Sequence, residues 1–206
     1  LAAIGDPKVR SAMPRLERAL DRAITLATNV LTYGRTEEPA PRIVASPLAA
    51  AVDIAAEDAG LSEDGVRLIS TVPPAVVVAA DPEQLHRILV NLLRNAREAI
   101  EGAAERRTPG EVRVSASEAE GQCLILFADN GPGVPARAQS ALFIPFVGST
   151  KREGTGLGLA IARELAQNHG GDIRLVSTGA DGSVFEVRLP AGGETAPARQ
   201  ETAAGA

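Results

Sequence analysis

Two asparagines lie one helical turn apart in a segment that has the pattern of a helix. The segment DPEQLHRILVNLLRNAREAIE opens with an Asp–Pro pair typical of a helix start and carries an apolar stripe, and Asn91 and Asn95 fall on a different face. Asparagine is a middling to poor helix former, so the pair suggests a ligand above that face. An amide oxygen could complete the shell of a Mg²⁺ ion that arrives with a nucleotide. Taken alone, the pair fits an ordinary polar helix face better.

An acidic residue ends a predicted strand and is followed by two glycines. Asp129 comes after the apolar run LILFA and begins the segment DNGPG. A carboxylate at this place can accept a hydrogen bond from the exocyclic amine of adenine, whereas guanine presents a carbonyl oxygen there. Gly131 and Gly133 would let the backbone approach the base closely. Taken by itself, an ordinary Asx turn is the better explanation of this segment.

Three alternating glycines stand directly before a predicted helix. The run GTGLGL covers residues 154–159 and is followed by AIARELAQ. Free backbone amides and a helix N-terminus converge there, which suits phosphate oxygens. The run lacks the Lys and the Ser or Thr of a P-loop, and it lacks the glycine spacing and preceding strand of the dinucleotide fingerprint. The sequence therefore predicts a phosphate site of another class, with a bare flexible loop as the weaker alternative.

The composition is that of a folded soluble protein. Hydrophobic residues make up 45% of the 206 residues and charged residues 23%. The formal net charge is −5 without a basic cluster, which argues against nucleic acid as a partner. No apolar run approaches the roughly 20 residues of a membrane helix, and the first residues lack the pattern of a signal peptide. We therefore expect a cytoplasmic segment without membrane contact, and the single Cys123 excludes an internal disulfide.

The elements that must position these residues occupy residues 42–190. Strand and helix patterns follow one another there without regular alternation, which predicts an α+β fold: a two-layer α/β sandwich with helices on one face of a mixed sheet. The tail 191–206 is small and polar, and we expect it to be disordered. Helices are predicted at 47–58, 81–101 and 157–167, and strands at 66–71, 76–79, 111–117, 122–128, 172–177 and 183–189.

A separate long helix is predicted for residues 7–35. Its apolar and small positions are spaced alternately four and three apart, which is a heptad seam and favours packing in a helical bundle. An ordinary amphipathic helix folded onto its own domain is the alternative. The seam consists of Val9, Met13, Leu16, Leu20, Ala23, Ala27 and Val30.

Taken together, four motifs resemble the ATP-binding catalytic domain of sensor histidine kinases, within the superfamily that includes gyrase, Hsp90 and MutL (the GHKL ATPase fold). The resemblance covers roughly residues 42–190. The motifs occur in the family's order: NLLRNAREA at 91–99, DNGPG at 129–133, LFIPF at 142–146 and the glycine-rich run at 154–171.

The resemblance implies a role for each matching residue. Asn95 would bind Mg²⁺, Asn91 would lie by the phosphates, Asp129 would hold adenine, and the glycines of the last run would border the triphosphate. Phe143 and Phe146 would pack a mobile ATP lid against the body or the helical bundle, and Lys151 and Arg152 would contact phosphate, with solvated loop charges as the equal alternative. The implied nucleotide-binding set is Asn91, Asn95, Asp129, Gly131, Gly133, Lys151, Gly154, Thr155, Gly156, Leu157 and Gly158, with Asn95 as the metal ligand.

The resemblance also implies a larger assembly. Residues 1–38 would be the second helix of a dimerisation and phosphotransfer hairpin, and the chain would be a truncated fragment that lacks the phosphoacceptor histidine and its adjacent acid. Neither His86 nor His169 substitutes for that histidine, and both are interpreted as structural. The implied function is transfer of the γ-phosphate of ATP to that histidine, in a homodimer, for relay to an aspartate of a response regulator.

Three alternatives remain from the sequence. A degenerate phosphotransferase or scaffold would keep the fold without binding ATP, but all four motifs are intact here. A serine kinase of the anti-sigma type shares the ATP fold, yet the heptad helix and the LFIPF motif weigh against it. An ATPase clamp of the GHKL superfamily would usually carry a glutamate where Asn91 stands, to activate water.

Overall fold

The computed structural model describes Met13 and residues 40–103, 108–147 and 156–193. Contacts divide the chain into two units, Leu1–Pro39 and Ala40–Ala206, and the fold described here is that of the second. The helix predicted for residues 7–35 lies outside the described residues except for Met13, which is helical. The tail from residue 194 also lies outside them.

Seven strands and four helices make up the described part of the second unit. The helices are α1 (Leu48–Asp58), α2 (Pro82–Glu101), α3 (Ala136–Gln139) and α4 (Gly158–Asn168). The strands are β1 (Val44–Pro47), β2 (Val66–Ser70), β3 (Val77–Ala80), β4 (Gly110–Ala119), β5 (Gln122–Asp129), β6 (Asp172–Gly179) and β7 (Gly182–Pro190).

Five of the strands form one mixed sheet in the order β2-β4-β5-β7-β6. The pair β2 and β4 is parallel, and the other neighbours are antiparallel. Strands β1 and β3 form a separate antiparallel pair. The β6–β7 hairpin therefore places its turn beside the end of β5, since Asp129 of β5 is in register with Ser183 of β7.

One layer of helices covers one face of this sheet. Helix α2 packs between α1 and α4 and contacts β4 and β5, while α4 contacts β6 and β7. The core is aliphatic, and burying each large side chain contributes about 1.5–3 kcal/mol. Its fully buried large side chains are Leu48, Val52, Leu85, Ile88, Leu89, Leu93, Ile100, Ile125, Leu157, Leu165, Ile173 and Leu189. The predicted α+β sandwich with a mixed sheet is confirmed.

The start of α2 is fixed by Asp81, as the Asp–Pro pair predicts. The Asp81 carboxylate accepts hydrogen bonds from the backbone amides of Glu83 at 3.0 Å, Gln84 at 3.1 Å and Arg42 at 3.0 Å. Burial alone would raise the pKa of this carboxyl, but these hydrogen bonds lower it overall. The cap therefore fixes the residue at which α2 begins.

Two short elements were not predicted from the sequence. Strand β1 is only four residues long and ends at Pro47, and it pairs with β3 alone. Helix α3 has four residues and begins after Pro135, between the strand predicted to end at residue 128 and the helix predicted to begin at residue 157. Both are too short to show a period, and prolines lie beside both.

Candidate nucleotide-binding site

The side chain of Asn91 meets the glycine run at the start of α4. Its amide nitrogen donates to the backbone carbonyl of Arg87 at 2.9 Å, which directs the carboxamide oxygen away from that turn. A Cβ placed on Gly158 would lie 3.1 Å from the Oδ1 atom of Asn91. The absence of a side chain at residue 158 therefore leaves room beside this oxygen. The structure thus brings the first and third sequence motifs together.

The other end of the same helix face meets the DNGPG loop. A Cβ placed on Gly131 would lie 3.5 Å from the backbone carbonyl carbon of Ala99 and 3.5 Å from Cγ1 of Ile100. Gly131 itself is buried, and its amide donates to the Asp129 carboxylate at 2.9 Å. The loop that follows β5 is therefore seated on the C-terminal half of α2, with the Asp129 carboxylate oriented by its own turn.

Asn95 lies between these two contacts. Asn91, Asn95 and Ala99 are spaced i, i+4 and i+8, so they form one stripe along α2, and Asn95 is partly exposed on it. Eight residues of helix span about 12 Å. One stripe of that length thus joins the GTGLGL run to the DNGPG loop, with an amide side chain at its centre.

Gly133 serves a contact within the protein. It has φ +75, and a Cβ there would collide with the carbonyl oxygen of Gly179 at the end of β6. The next residue, Val134, donates its amide to the Thr178 hydroxyl at 2.7 Å, and that hydroxyl pairs with Ser183 at 3.0 Å. In the structure this glycine lies against the β6–β7 hairpin, and its predicted approach to the base stays a prediction.

Asn130 is a site-supporting residue that the sequence reasoning missed. Its amide nitrogen donates to the Pro109 carbonyl at 2.8 Å and to the Thr108 hydroxyl at 3.3 Å, and its oxygen accepts the Glu111 amide at 2.9 Å. These bonds tie the loop to the start of β4. The sequence offers only the Asx-turn pattern as a signal, because the partners lie about twenty residues away.

The glycine run is described from Gly156 onward. Gly156 has φ +67, Leu157 is fully buried, and Gly158 is the first residue of α4. The first turn of α4 has neither a side-chain cap nor an acidic residue, and it begins beside Asn91, at one end of the stripe. A helix start of this kind leaves its first amides without intrahelical partners. Lys151, Gly154 and Thr155 lie outside the described residues.

The two phenylalanines of the LFIPF motif have different environments. Leu142 is buried, and Phe143 packs against the core with the Arg163 guanidinium 4.8 Å from its ring centroid. Phe146 has φ +64 and is 59% exposed, next to exposed Ile144 and Val147. Phe143 therefore anchors the segment to the body, whereas Ile144, Phe146 and Val147 are exposed.

Both histidines make contacts within the fold. His169 is buried; its Nδ1 donates to the Leu165 carbonyl at 2.7 Å, and its Nε2 accepts the Asp81 amide at 3.0 Å. It thereby joins the end of α4 to the cap of α2. His86 lies at the surface beside Asp58.

The described residues contain neither a cluster of metal-ligating side chains nor a membrane-spanning helix. Among the described residues, no group of three or more His, Cys, Asp or Glu side chains is placed to hold a metal ion. No helix in the described ranges is long and apolar enough to cross a membrane.

The fold and the motif geometry define an ATPase domain, and comparison with known proteins agrees. The chain belongs to the family of histidine kinase-, DNA gyrase B-, and HSP90-like ATPases, whose model matches residues 80–193, more than half of the chain. This match begins just before α2 and ends after β7. It includes every element of the candidate site.

Its curated relatives are sensor histidine kinases. The C4-dicarboxylate transport sensor protein DctB of Rhizobium meliloti is 38% identical over 126 residues, which cover 61% of this chain and 19% of DctB. The sensory histidine kinase/phosphatase NtrB of Escherichia coli O157:H7 is 38% identical over 133 residues, which cover 62% of this chain and 38% of NtrB. The sensor histidine kinase ZraS of Escherichia coli K12 is 39% identical over 113 residues, which cover 55% of this chain and 23% of ZraS. The chain thus spans well under half the length of these relatives.

Solved structures show the same fold. Full-length ShkA in complex with AMPPNP has a TM-score of 0.72 at 27% identity, covering 90% of this chain and 39% of ShkA. The mycobacterial sensor histidine kinase MprB has a TM-score of 0.60 at 26% identity, covering 73% of this chain and 97% of the MprB chain. The resemblance to the ATP-binding catalytic portion of sensor histidine kinases is confirmed.

Proposed function

We propose that this chain binds ATP with Mg²⁺ along the Asn91–Ala99 stripe and serves as the catalytic portion of a complete sensor histidine kinase. The observation that most supports this is the seating of both glycine motifs on one helix face, Gly158 at Asn91 and Gly131 at Ala99. A nucleotide laid along the stripe would have its phosphates at the α4 end and its base at the Asp129 end. ShkA, a structural relative, was solved with AMPPNP.

Asp129 would select adenine. One of its carboxylate oxygens, Oδ1, accepts the Gly131 amide, which fixes the carboxylate plane. The carboxylate would accept the exocyclic amine of adenine, and it would repel the carbonyl oxygen of guanine. Base selection would therefore depend on an acceptor held in place by its own turn.

The residues at the other end of the stripe fit phosphates and a metal. The space that Gly158 leaves beside the Asn91 oxygen, together with the amides of the first turn of α4, suits anionic oxygens. Asn95 would hold Mg²⁺ through its amide oxygen, and the metal when bound would neutralise phosphate charge. Gly154, Thr155, Gly156, Leu157 and Lys151 would complete the phosphate-binding set.

The reaction would be phosphoryl transfer to an imidazole nitrogen of a dimerisation domain. Such catalysis depends mainly on positioning, because the nucleophile and the γ-phosphate must be brought in line. The relatives are sensor histidine kinases, so we propose a homodimer formed through an N-terminal helical bundle and a response regulator as the phosphate acceptor. We place the reaction in the cytoplasm, since its substrate ATP is present there.

Nucleotide competition tests the first part of this function. A fluorescent ATP analogue is bound to the chain in the presence of Mg²⁺ and is displaced with non-hydrolysable ATP and GTP analogues. Displacement by the adenine analogue at concentrations at least tenfold lower than by the guanine analogue is expected. Equal displacement by both would contradict the assignment of Asp129, and no binding by a folded sample would contradict the function.

Phosphate transfer tests the second part. The chain is incubated with γ-labelled ATP and a dimerisation hairpin that carries a histidine, supplied as a separate polypeptide. Label that appears on the hairpin and is lost in acid but retained in base would identify a phosphohistidine. Base-labile or acid-stable label would indicate another acceptor residue and would contradict the proposal.

A further inference from the structure

Arg163 joins helix α4 to two other parts of the body. Its guanidinium donates two hydrogen bonds to the Asp172 carboxylate at the start of β6, from Nε at 2.7 Å and from Nη2 at 3.1 Å. The same guanidinium lies 4.8 Å from the ring centroid of Phe143. Gln167, one turn later on α4, also donates to Asp172, at 3.2 Å. The arginine therefore donates to a carboxylate through Nε and Nη2 while its guanidinium carbon lies over an aromatic ring.

Only an arginine can make both contacts at once. Its planar fork matches a carboxylate in two hydrogen bonds, and its delocalised face stacks on an aromatic ring, whereas a lysine ammonium is a point charge without a face. The hydrogen bonds from Arg163 lower the pKa of the Asp172 carboxyl, so the carboxylate stays charged and keeps the guanidinium in place. Phe143 is thus held above a fixed cation.

The ion pair between Arg163 and Asp172 adds little to the stability of the fold. The side chains of Arg163 and Asp172 are 37% and 45% exposed, and ion pairs as exposed as this contribute little to folding. What the arrangement does fix is the place of residues 142–146 relative to α4. Arg163 lies five residues after Gly158, about 7.5 Å along the helix, so Phe143 is anchored close to the turn that meets Asn91.

We propose that Arg163 is a positioning residue of the nucleotide site. By clamping Phe143 to α4, it holds the LFIPF segment and the first turn of α4 in one arrangement, and so it sets the affinity for the phosphate end of the nucleotide. This role rests on the proposed function, since it requires that ATP bind at the Asn91 end of the stripe. Arg163 itself acts through Phe143 and Asp172.

The test compares Arg163→Gln with a matched control, Arg174→Gln, in the full chain. Arg174 also pairs with a sheet carboxylate, Glu186, at 2.9 Å, but it contacts no aromatic ring in the described structure. Three quantities are measured: the Kd for an ATP analogue with Mg²⁺, the thermal midpoint, and amide hydrogen exchange of residues 142–147. Arg163→Gln should weaken binding three- to tenfold and speed this exchange, with a thermal shift no larger than that of the control.

Two further variants separate positioning from a general structural effect. Arg163→Lys keeps the charge but loses the planar guanidinium and its paired hydrogen bonds, so its Kd should fall between those of wild type and Arg163→Gln. In a Phe143→Leu background, Arg163→Gln should change the Kd less than twofold, because the ring through which it acts is gone. Additive effects of the two substitutions, or unchanged exchange in Arg163→Gln, would overturn the proposal.

The wild-type measurement distinguishes this proposal from the proposed function. No binding of the ATP analogue by the folded wild-type chain would overturn the function and, with it, the role of Arg163. If the wild-type chain binds the ATP analogue and Arg163→Gln binds it as tightly as Arg174→Gln does, only the role of Arg163 is overturned.

Discussion

Gly158 stands against the side chain of Asn91, so close that a Cβ on the glycine would lie 3.1 Å from the asparagine Oδ1. Neighbouring atoms would have to give by a few tenths of an ångström to admit that Cβ. The two residues are 67 positions apart in the sequence, and they join α2 to the start of α4. Because both belong to motifs expected to bind phosphate, we propose that the phosphate end of the site lies at this contact.

Gly158→Ala should weaken nucleotide binding while changing the stability of the fold little. Alanine is a better helix former than glycine by about 0.5–1 kcal/mol in a helix interior, but Gly158 is the first residue of α4 and the new methyl must displace the Asn91 side chain. These two effects oppose each other, so the free energy of unfolding should change by less than about 1 kcal/mol. The added methyl should push the Asn91 side chain and weaken binding of an ATP analogue by about tenfold, or ~1.4 kcal/mol. Calorimetry and urea unfolding measure the two effects.

Gly179→Ala is the control for that substitution. A Cβ on Gly179 meets no atom within 4 Å, and its φ is not in the left-handed region. It should leave nucleotide affinity within about twofold of wild type, a difference of ~0.4 kcal/mol. If Gly158→Ala bound nucleotide as tightly as this control, the contact with Asn91 would have no bearing on the site.

Asn95→Ala should remove the metal dependence of nucleotide binding. The amide oxygen is the group proposed to hold Mg²⁺, so adding Mg²⁺ should no longer increase the affinity of this variant for an ATP analogue. Asn168→Ala, an exposed asparagine at the end of α4, should keep the metal dependence. Metal dependence of equal size in Asn95→Ala and wild type would sink the assignment of Asn95 as a ligand.

Asp129→Asn should alter base selection more than folding. The asparagine oxygen can still accept the Gly131 amide, so the loop should keep its turn. The replacement of one carboxylate oxygen by an NH₂ donor should weaken binding of the ATP analogue by roughly tenfold to a hundredfold, about 1.4–2.8 kcal/mol. The affinity for the GTP analogue should then lie closer to that for the ATP analogue. Competition binding gives the ratio of the Kd values for the two analogues. A ratio equal to that of wild type would mean that the base does not bind at Asp129.

His169→Phe should destabilise the protein, while His86→Gln should have little effect. The His169 ring is buried and makes two hydrogen bonds that join α4 to the α2 cap. Their loss leaves the Asp81 amide without its imidazole acceptor, at a cost of about 1–3 kcal/mol in the free energy of unfolding. His86 is paired with Asp58 at the surface, so its loss should cost at most about 0.5 kcal/mol. Urea unfolding at pH 7.5 compares the two, and equal losses would contradict the buried role of His169.

Glu186 should contribute to stability in a pH-dependent way. Burial alone would raise the pKa of its carboxyl, but hydrogen bonds from Arg174 and Arg188 outweigh burial and lower it overall. A lowered pKa in the folded state means that the contribution is present above the unfolded-state pKa and is lost as pH falls through the folded-state pKa. Glu186→Gln should therefore be less stable than wild type near neutral pH, and the gap should narrow in acid. A gap that stayed constant with pH would contradict this.

The sequence predicted the elements with long or strongly periodic patterns. The α2 range of Pro82–Glu101 follows directly from Asp81, Pro82 and the apolar stripe, and β4 to β7 are each within two residues of their predicted ends. The resemblance to a family was established by four motifs and confirmed by comparison. These features depend on neighbouring residues, which a sequence shows directly.

The sequence could not predict contacts between distant residues. Nothing near Asn130 in the sequence reveals that it bonds the start of β4, and nothing near Gly133 reveals its contact with Gly179. The position of Arg163 over the Phe143 ring is likewise not visible from the residues around either of them. Such relationships arise from packing, which local pattern does not encode.

The measurement that tests the central claim most directly is calorimetric titration of the chain with a non-hydrolysable ATP analogue, with and without Mg²⁺. If the stripe from Asn91 to Ala99 is an ATP site with Asn95 as a metal ligand, the analogue should bind at one site per chain and more tightly with Mg²⁺. Absence of binding in a sample shown to be folded, or binding that Mg²⁺ does not strengthen, would contradict the account.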